Sequence, residues 1–370
     1  MVLDATAVPP NRGGVGRYVD GLVGALAELD LALTVVCQAN DAAAFSHLLD
    51  RIAVHEAPAS ISSRPARLAW EQTGLPGLAR SLGADVLHCP HYTMPLRPRM
   101  PTVVTIHDAT FFSHPQVHTS GKGRFFRAAS RHALRRAAVC LTPSAATKNE
   151  LIRILRADPA KVRVAHLGFD PAIFAPPAAE AVAKVTAELG VAPGEYVAFL
   201  GTLEPRKNVA ALVTAFVGLA PSLAKPMALV LAGGRGWDDQ LDAVVTAART
   251  SVTVLTPGYL PLEDLAAYLG GACVVAYPSL GEGFGLPVLE AMACGAAVLT
   301  TRELSLGEVG GDAVAYSTTR AASIQSELAE LIPDVHRREE LGRLGIERAR
   351  EFTWQRCAEA HLVAYREAVA

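Results

Sequence analysis

The chain has 370 residues, of which 51% are hydrophobic and 19% are charged, and its formal net charge is −2. This length suits about two domains, and the apolar content is enough for two buried cores. No apolar run reaches the roughly 18 residues of a membrane-spanning helix, so the composition excludes an integral membrane protein of the helical type.

Charge is distributed unevenly along the chain. Residues 1–175 carry 19 basic and 13 acidic side chains, for a net charge of +6, and the remaining residues have a net charge of −8. The six cysteines are scattered without a C-x-x-C pair, so we expect reduced core thiols and no metal site or disulfide framework. The N-terminus lacks the basic segment and apolar core of a signal peptide, and we therefore expect a cytoplasmic protein.

Short apolar strands alternate with amphipathic helices along the whole chain. The strands predicted in the first half are 33–37, 85–88, 101–106, 139–142 and 162–165. Those predicted in the second half are 196–200, 228–232, 252–255, 273–277 and 297–299. This alternation predicts an α/β protein with two Rossmann-like, doubly wound parallel sheets, which bind ligands at the carboxyl ends of their strands.

A proline-broken segment at 170–177 separates the two halves. We therefore predict an N-terminal domain at 1–172 and a C-terminal domain at 173–353, with a cleft between them. A last helix, predicted over 354–367 within the terminal segment 354–370, is long enough to cross back onto the N-terminal domain.

Two candidate binding features follow strands of the first half. The glycine-rich loop at 11–18 opens a helix, and Gly14 and Gly16 would let the backbone approach a phosphate or a sugar closely. An ordinary tight turn is the alternative, because the G-x-G-x-x-G spacing of dinucleotide-binding loops is absent. His107 lies at the end of another strand, where it would face the cleft, and a structural histidine is the alternative.

A predicted helix at 122–135 has a basic face and an apolar face. The basic face consists of Arg124, Arg127, Arg131 and Arg135. A solvated surface helix is one interpretation, and a patch for anionic lipid headgroups or a lipid-diphosphate acceptor is the other. The positive charge of the first half favours the lipid interpretation. No nucleic-acid-binding pattern accompanies the patch, so we expect no nucleic acid partner.

Arg206 and Lys207 follow a predicted strand and precede a helix. The positive end of a helix dipole disfavours two cations at that place, and an anionic ligand would explain them. A diphosphate leaving group needs such fixed positive charge, because negative charge grows on it as its bond breaks. The alternative is a weak surface ion pair with Glu204.

The stretch from Glu282 to Glu290 has two acids eight positions apart, across a glycine-rich turn that opens a helix. We predict that helix over 286–294, ended by Gly295. Loop N–H groups beside the positive helix end suit anions and hydroxyl oxygens, and two carboxylates flanking them would grip a polyhydroxylated ligand. In the alternative, Glu282 only complements the helix dipole and Glu290 is a solvated helix residue.

Together these motifs resemble the retaining family-4 glycosyltransferases of GT-B fold, and the resemblance covers nearly the whole chain. The segments that carry it are 13–18, 85–88, 107–108, 168–170, 201–208, 258–259, 282–290 and 352–354. Trp70-Glu71-Gln72 and residues 107–112 look most like the bacterial mannosyl- and related hexosyltransferases of polysaccharide or glycolipid assembly.

The resemblance implies a role for each site residue. Arg206 and Lys207 would hold the donor diphosphate, and Glu282 would hold the sugar hydroxyls. His107 would contact the sugar at the reacting face, and Glu290 would accept hydrogen bonds from the ribose hydroxyls. The other donor-binding residues that it implies are Gly14, Gly16, Thr202, Tyr259, Gly283, Phe284, Gly285 and Leu286. It implies no cofactor and no metal, and the sequence has no D-x-D pair.

The family reaction transfers a hexose, with retention at the anomeric carbon, from a nucleotide-diphosphate sugar to a sugar, glycolipid or other hydroxyl acceptor. Mannose as the sugar and GDP as the nucleotide are favoured. Two alternatives stay open, namely a nucleotide-sugar epimerase or hydrolase of the same architecture, and a non-catalytic sugar-nucleotide-binding protein. We expect a cytoplasmic location, with peripheral contact at the inner face of the membrane if the basic helix binds lipid.

Overall fold

In the computed structural model, residues 1–8 and 12–370 are described, and the chain forms two compact α/β units. One unit consists of Met1–Gly168 together with Phe352–Ala370, and the other is Phe169–Glu351. Each unit has its own parallel sheet with helices packed against it. The α/β class with two doubly wound sheets, predicted from the alternation of strands and helices, is therefore confirmed.

The first unit contains, among its described residues, seven parallel strands in the spatial order β3-β2-β1-β4-β5-β6-β7. The strands are β1 (Val2–Asp4), β2 (Thr34–Cys37), β3 (Ala53–Glu56), β4 (Leu87–Cys89), β5 (Thr102–Thr105), β6 (Val139–Thr142) and β7 (Val162–Val164). The helices are α1 (Gly14–Leu26), α2 (Arg64–Thr73), α3 (Leu75–Ser81), α4 (Thr110–Ser113), α5 (Ser120–Arg136) and α6 (Ala145–Leu155). The strand order reverses between β1 and β4, which places a crevice at the carboxyl ends of those two strands.

The second unit contains six described parallel strands in the order β10-β9-β8-β11-β12-β13. They are β8 (Tyr196–Leu200), β9 (Ala228–Ala232), β10 (Thr253–Gly258), β11 (Val274–Tyr277), β12 (Val298–Thr301) and β13 (Ala315–Ser317). Its helices are α7 (Ala179–Leu189), α8 (Val209–Leu219), α9 (Asp239–Ala248), α10 (Leu265–Gly270), α11 (Leu286–Ala293), α12 (Leu306–Gly310), α13 (Ala321–Leu331) and α14 (Val335–Ala349). Here the order reverses between β8 and β11.

Every strand predicted from the sequence forms, with ends that differ from the prediction by at most three residues. The prediction gave no bounds for β1, and it missed β3 and β13, which lie at sheet edges and carry mostly half-buried or exposed side chains. A half-solvated edge strand lacks the continuous apolar run that identifies a buried parallel strand. The helix predicted over 286–294 is α11, and Gly295 follows it in the left-handed region with φ +74°.

The last helix, α15 (Trp354–Val369), belongs to the first unit and packs against α1. Gly21 makes room for it, because a Cβ at that position would lie 2.2 Å from the Trp354 indole. Gly168 makes room for the turn before it, since a Cβ there would lie 2.2 Å from the Trp354 nitrogen. Thr353 caps the helix by accepting from the Arg356 N–H. These contacts give two of the sequence motifs, 168–170 and 352–354, a packing role.

A buried row of hydrogen bonds ties α15 to α1 and to the sheet. Five side chains form it: Tyr365, His88, Thr105, Tyr18 and His361. The Cys357 carbonyl, 2.8 Å from His361 Nδ1, can only accept, so Nδ1 carries the proton and Nε2 accepts from the Tyr18 hydroxyl. By the same reasoning, the Tyr18 hydroxyl accepts from Thr105, Thr105 accepts from His88 Nε2, and His88 Nδ1 accepts from the Tyr365 hydroxyl. Each hydroxyl in the row therefore donates to one acceptor. Burial lowers the pKa of His361 to about 4, so the ring is uncharged at neutral pH. An uncharged ring with its proton on Nδ1 is the form that these hydrogen bonds require.

All six cysteines are buried free thiols, as the sequence predicts. Burial raises the pKa of Cys140 and of Cys294 to about 12, which makes these thiols unreactive. In the part of the chain that the structure describes, no helix combines the length and the apolar character needed to cross a membrane.

Candidate functional site

The reversal of strand order in the second unit brings two loops together. The loop after β8 carries Arg206 and Lys207 in a short turn, Pro205–Lys207, that precedes α8. The loop after β11 carries Glu282 and leads into α11. Because β8 and β11 are neighbours in the sheet, their carboxyl ends lie side by side, and residues about 75 positions apart in the sequence meet there.

Four charged side chains form one network at this crevice. Arg206 donates from Nη1 to Glu282 Oε2 at 2.5 Å and from Nη2 to Glu204 Oε1 at 2.7 Å. Lys207 Nζ lies 2.7 Å from Glu282 Oε1 and also donates to the Tyr277 hydroxyl. The four side chains are between 9% and 15% exposed. The cations are therefore held at fixed positions in a largely desolvated crevice.

The network bears on both interpretations of Arg206 and Lys207. Glu204 and Glu282 already pair with these cations, so binding of an anionic ligand stays a prediction. The alternative named Glu204 correctly as a partner of Arg206, but that pair is largely buried and is not a surface pair, and the pairs with Glu282 join two loops. The sequence showed Glu204 two positions away but gave no sign that Glu282 would reach both cations.

The carboxylate of Glu282 accepts hydrogen bonds from several neighbouring side chains. Besides the two cations, Ser279 Oγ donates to Oε1 at 2.7 Å and the Tyr277 hydroxyl donates at 3.1 Å. Burial by itself would raise the pKa of Glu282, but the charges of Arg206 and Lys207 with these hydrogen bonds lower it to about 2. Glu282 is therefore an anion at neutral pH, and its ion pairs orient Arg206 and Lys207.

Backbone contacts join the two loops further. The Arg206 carbonyl accepts from the Leu280 N–H at 2.8 Å, and Ser279 Oγ lies 3.0 Å from the same carbonyl oxygen. Asn208 has a left-handed backbone, with φ +58°, and its side-chain amide donates to the Pro278 carbonyl at 3.1 Å. Asparagine tolerates this conformation better than most residues do. The loop conformation is thus set by the neighbouring strand end as well as by local sequence.

The glycine-rich turn leads from Glu282 into α11 as predicted. Gly285 has φ +103°, and a Cβ there would lie 2.8 Å from Leu306 Cδ2, so this position requires glycine. Gly283, Phe284 and Leu286 are buried in the turn, and the N-cap residue, Gly285, has no side chain with which to cap the helix. Glu290 is 1% exposed, so the alternative of a solvated helix residue is wrong.

Sequence analysis did not single out the loop after β9, residues 233–236, which lies against the loop after β8. A Cβ at Gly233 would lie 2.1 Å from the Gly201 carbonyl oxygen, and one at Gly236 would lie 1.9 Å from the Leu203 carbonyl oxygen. Tyr259 is 65% exposed, and its hydroxyl lies beside Gly234. Three glycines directly after a strand were the signal for this loop. Thr202 lies in the loop after β8 and is half-buried.

Gly14 and Gly16 lie in the first unit, after β1. Asn11, part of the predicted glycine loop, lies outside the described residues. Gly14 is exposed and a Cβ there would meet open space, whereas a Cβ at Gly16 would lie 3.1 Å from Arg12 Cδ. Arg12 pairs with Asp20 at 3.1 Å and with Asp41 at 3.3 Å, which anchors this end of the loop.

His107 follows β5 in the first unit and is half-buried. Its Nε2 lies 2.7 Å from the Pro90 carbonyl, which can only accept, so Nε2 carries the proton and Nδ1 is an acceptor. Burial lowers the pKa of His107, although the bond to Pro90 and the charge of Asp108 act against that effect. The ring meets the Tyr18 ring edge to face, with centroids 5.0 Å apart. At neutral pH His107 is thus a positioned neutral imidazole.

The Trp70-Glu71-Gln72 motif holds the loop that follows β4. Thr93 donates to Glu71 Oε2 at 2.6 Å, and Gln72 Oε1 accepts from the Leu96 N–H at 2.7 Å. Arg67 also donates to Glu71, at 3.1 Å. The same loop contains Pro90, whose carbonyl accepts the hydrogen bond from His107. The motif therefore helps to fix the loop that positions this histidine.

The predicted basic helix is α5, and its four arginines are not equivalent. Arg127 is half-buried and donates to the Phe111 carbonyl at 3.1 Å, so it has a structural role. Arg124, Arg131 and Arg135 are exposed. Arg131 also lies over the Phe112 ring, 5.1 Å from its centroid. Three of the four arginines thus form an exposed basic face.

Two family models match the chain. Glycosyltransferase Family 4 matches residues 12–173, and Glycosyl transferases group 1 matches residues 187–350. The chain is 30% identical to the O-antigen chain mannosyltransferase B of Escherichia coli, over 82% of this chain and 77% of that protein. It is 35% identical to the D-inositol 3-phosphate glycosyltransferase of Salinispora tropica, over 60% of this chain but only 49% of that protein.

Solved structures of similar fold agree with the family models. An Anabaena protein, Alr3699/HepE, crystallised with UDP and glucose, superposes with a TM-score of 0.79 at 18% identity over 98% of each chain. WaaG, a glycosyltransferase involved in lipopolysaccharide biosynthesis, superposes with a TM-score of 0.77 at 14% identity over 98% of this chain and 99% of that one. The chain with these two sheets and these strand-end loops is a glycosyltransferase of GT-B fold and belongs to glycosyltransferase family 4.

Proposed function

We propose that this glycosyltransferase is a retaining hexosyltransferase that needs no metal and moves a hexose from a nucleotide-diphosphate sugar to a hydroxyl acceptor on a sugar or glycolipid. Mannose and GDP are the favoured sugar and nucleotide, because a mannosyltransferase is among the relatives that match most of the chain. UDP is the nucleotide in the Anabaena structure, so it is the first competitor to GDP.

The network of Arg206 and Lys207 with Glu204 and Glu282 carries this proposal. The side chains of the two cations are at most 15% exposed and lie at the carboxyl ends of β8 and β11, a position suited to binding a diphosphate. Their carboxylate partners fix their positions before substrate arrives, so little reorganisation is needed as negative charge grows on the leaving group. In this proposal the cations take the place that a metal ion has in other enzymes.

The proposed step breaks the bond between the anomeric carbon and the diphosphate oxygen and forms a bond from that carbon to the acceptor oxygen on the same face. The acceptor proton passes to the departing diphosphate. Arg206 and Lys207 stabilise the charge on that group. His107, with its acceptor Nδ1, would take a hydrogen bond from a sugar hydroxyl, and Glu290 would bind the ribose.

Thermal unfolding with GDP, UDP, dTDP and ADP, without added metal, tests the donor assignment. A nucleotide that binds only the folded protein adds about 2.7 kcal/mol of stability at a hundredfold excess over its Kd. We expect one nucleotide, with GDP first, to raise the Tm clearly above the others. No shift with any nucleotide would contradict the donor site.

Release of that nucleotide from its sugar conjugate then distinguishes the alternatives. A transferase releases nucleotide only with acceptor, a hydrolase releases it without acceptor, and a binding protein releases none. Addition of a chelator should leave the rate unchanged, and a large loss of activity with chelator would contradict the metal-independent mechanism.

We also propose a cytoplasmic location with contact between the basic face of α5 and an anionic membrane surface. The exposed arginines are Arg124, Arg131 and Arg135, and the neighbouring loop adds Leu96, which is 62% exposed. His132 Nε2 lies 3.4 Å from the Pro95 carbonyl and connects that loop to the helix. Basic charge beside an exposed apolar side chain suits a surface of anionic lipid.

Replacing Arg124, Arg131 and Arg135 together by Gln should weaken binding to vesicles that contain anionic lipid by about 3 kcal/mol, at about 1 kcal/mol for each charge. Cosedimentation with anionic and with neutral vesicles measures this change. Exposed arginines of the second unit, Arg320, Arg343 and Arg350, provide a control of equal charge when replaced in the same way. Equal losses in both variants, or no loss in either, would leave α5 an ordinary solvated helix.

A further inference from the structure

Ser305 lies fully buried beside the turn that leads from Glu282 into α11. Its hydroxyl is 2.8 Å from the Glu282 carbonyl and 2.9 Å from the Phe284 carbonyl. Both partners are acceptors, so the one hydroxyl proton is shared between two carbonyl groups that are two residues apart. The preceding residue, Leu304, forms an isolated parallel bridge with Glu282. The segment after β12 therefore runs along the glycine-rich turn and holds it.

The carbonyl directions determine where the N–H groups of the turn are aimed. A trans peptide unit is planar, and its C=O and N–H point in opposite directions. Because the Phe284 carbonyl is aimed at Ser305, the N–H of Gly285 is aimed away from it. Gly285 has φ +103° and precedes the first residue of α11, where the helix dipole is positive. Ser305 thus sets the direction of an N–H group at the start of α11.

Neighbouring hydroxyls repeat the arrangement along the same pair of segments. Thr300 donates to the Tyr277 carbonyl at 2.8 Å, and Thr301 donates to the Ser279 carbonyl at 2.9 Å. Both threonines are buried. Three successive hydroxyl groups therefore follow the chain from the end of β11 to the turn, and Ser305 is the one that reaches the turn itself.

We propose that Ser305 is a positioning residue for donor binding, which acts by holding the Phe284 carbonyl, together with that of Glu282, so that the backbone N–H of Gly285 faces the donor. This inference rests on the proposed donor site and adds a residue to it. Ser305 touches no reacting atom in this account. Ser305 acts by orienting backbone groups of the turn, so removal of its hydroxyl should weaken nucleotide binding even in a variant that remains folded.

The test is the Kd for the nucleoside diphosphate that the wild-type protein selects from GDP, UDP, dTDP and ADP. Titration calorimetry well below the Tm of each variant measures it. Ser305→Ala should weaken that Kd about tenfold, which corresponds to about 1.4 kcal/mol. Ser305→Cys keeps a weaker donor of similar size and should lose affinity by a smaller factor, so it also carries the test if the alanine variant does not fold.

Tyr268→Phe is the matched control. The Tyr268 hydroxyl is also fully buried in the second unit, and its one proton is shared between two carbonyls, those of Phe199 and Val230, each at 2.9 Å. These carbonyls belong to strand interiors and not to the turn. We expect this variant to lose thermal stability as Ser305→Ala does, but to keep the wild-type Kd within about twofold.

Three results would overturn the inference, and they are distinguishable from each other. If Ser305→Ala or Ser305→Cys binds as tightly as the wild-type protein, Ser305 does not position the turn. If Tyr268→Phe loses as much affinity as Ser305→Ala, the loss reflects general stability. If the wild-type protein binds none of the four nucleotides, the proposed donor site is itself wrong and the inference falls with it.

Discussion

Replacing Lys207 by Met is expected to lower kcat/KM for acceptor-dependent transfer about 10²–10³-fold, the range seen when one fixed donor to a developing negative charge is removed. Lys207 Nζ is held between Glu282 and Tyr277, so its charge is positioned before the reaction starts. Methionine keeps the apolar stem and removes only the charged end. Nucleotide release with and without acceptor measures the loss, and circular dichroism shows whether the fold is kept.

Lys184→Met provides the control for this substitution. Lys184 is on α7 in the same unit, its side chain is 61% exposed, and it pairs with Asp264 at the surface. Loss of such an exposed pair has little effect on stability and leaves the crevice unaltered, so activity should remain at the wild-type value. A Lys207→Met enzyme as active as this control would remove Lys207 from the proposed mechanism.

Replacing Glu282 by Gln is expected to lower the free energy of unfolding at neutral pH by about 3 kcal/mol, the equivalent of a pKa lowered from 4.5 to about 2. Glutamine keeps the size of the side chain but lacks the charge that pairs with Arg206 and Lys207. Arg206 then keeps its pair with Glu204, and Lys207 keeps its hydrogen bond to the Tyr277 hydroxyl. Urea unfolding followed by circular dichroism measures the difference between the two proteins.

The pH dependence of that difference has a definite sign. The folded-state pKa of Glu282 lies below its unfolded value, so the stability that it contributes is fully present above about pH 4.5. This contribution is lost as the pH falls through about 2, where the folded protein also binds the proton. The difference in free energy of unfolding between the wild-type and Glu282→Gln proteins should therefore decrease steadily as the pH falls from about 4.5 to about 2.

Glu347→Gln is the reference for this measurement. Glu347 is 64% exposed and forms an ion pair with Arg343 one helical turn away on α14. Such a pair contributes about 0.5 kcal/mol or less, so this variant should follow the wild-type stability at every pH in the window. A Glu282→Gln protein that is equally stable would show that the buried network adds nothing to folding.

Much of the fold was predictable because local sequence carries the signal for it. A buried parallel strand needs a continuous apolar run, and a helix that covers the sheet needs a repeating apolar stripe, so the order of elements follows from the printed residues. The turn at Gly285 was predictable for the same reason, since a left-handed backbone selects glycine. The edge strands β3 and β13 were missed because half-solvated strands carry no such pattern.

The sequence by itself therefore determined the two α/β sheets, the strand ends at which the site lies, and the residue types gathered there. Only the tertiary structure decided which side chains meet. Arg206 pairs with Glu282 across 76 positions, and Tyr18 bonds to His361 across 343. Ser305 reaches the Glu282 carbonyl from the neighbouring strand end. Such contacts depend on strand order and on helix packing, and hydrophobic periodicity has no information about either because it is read within one element at a time.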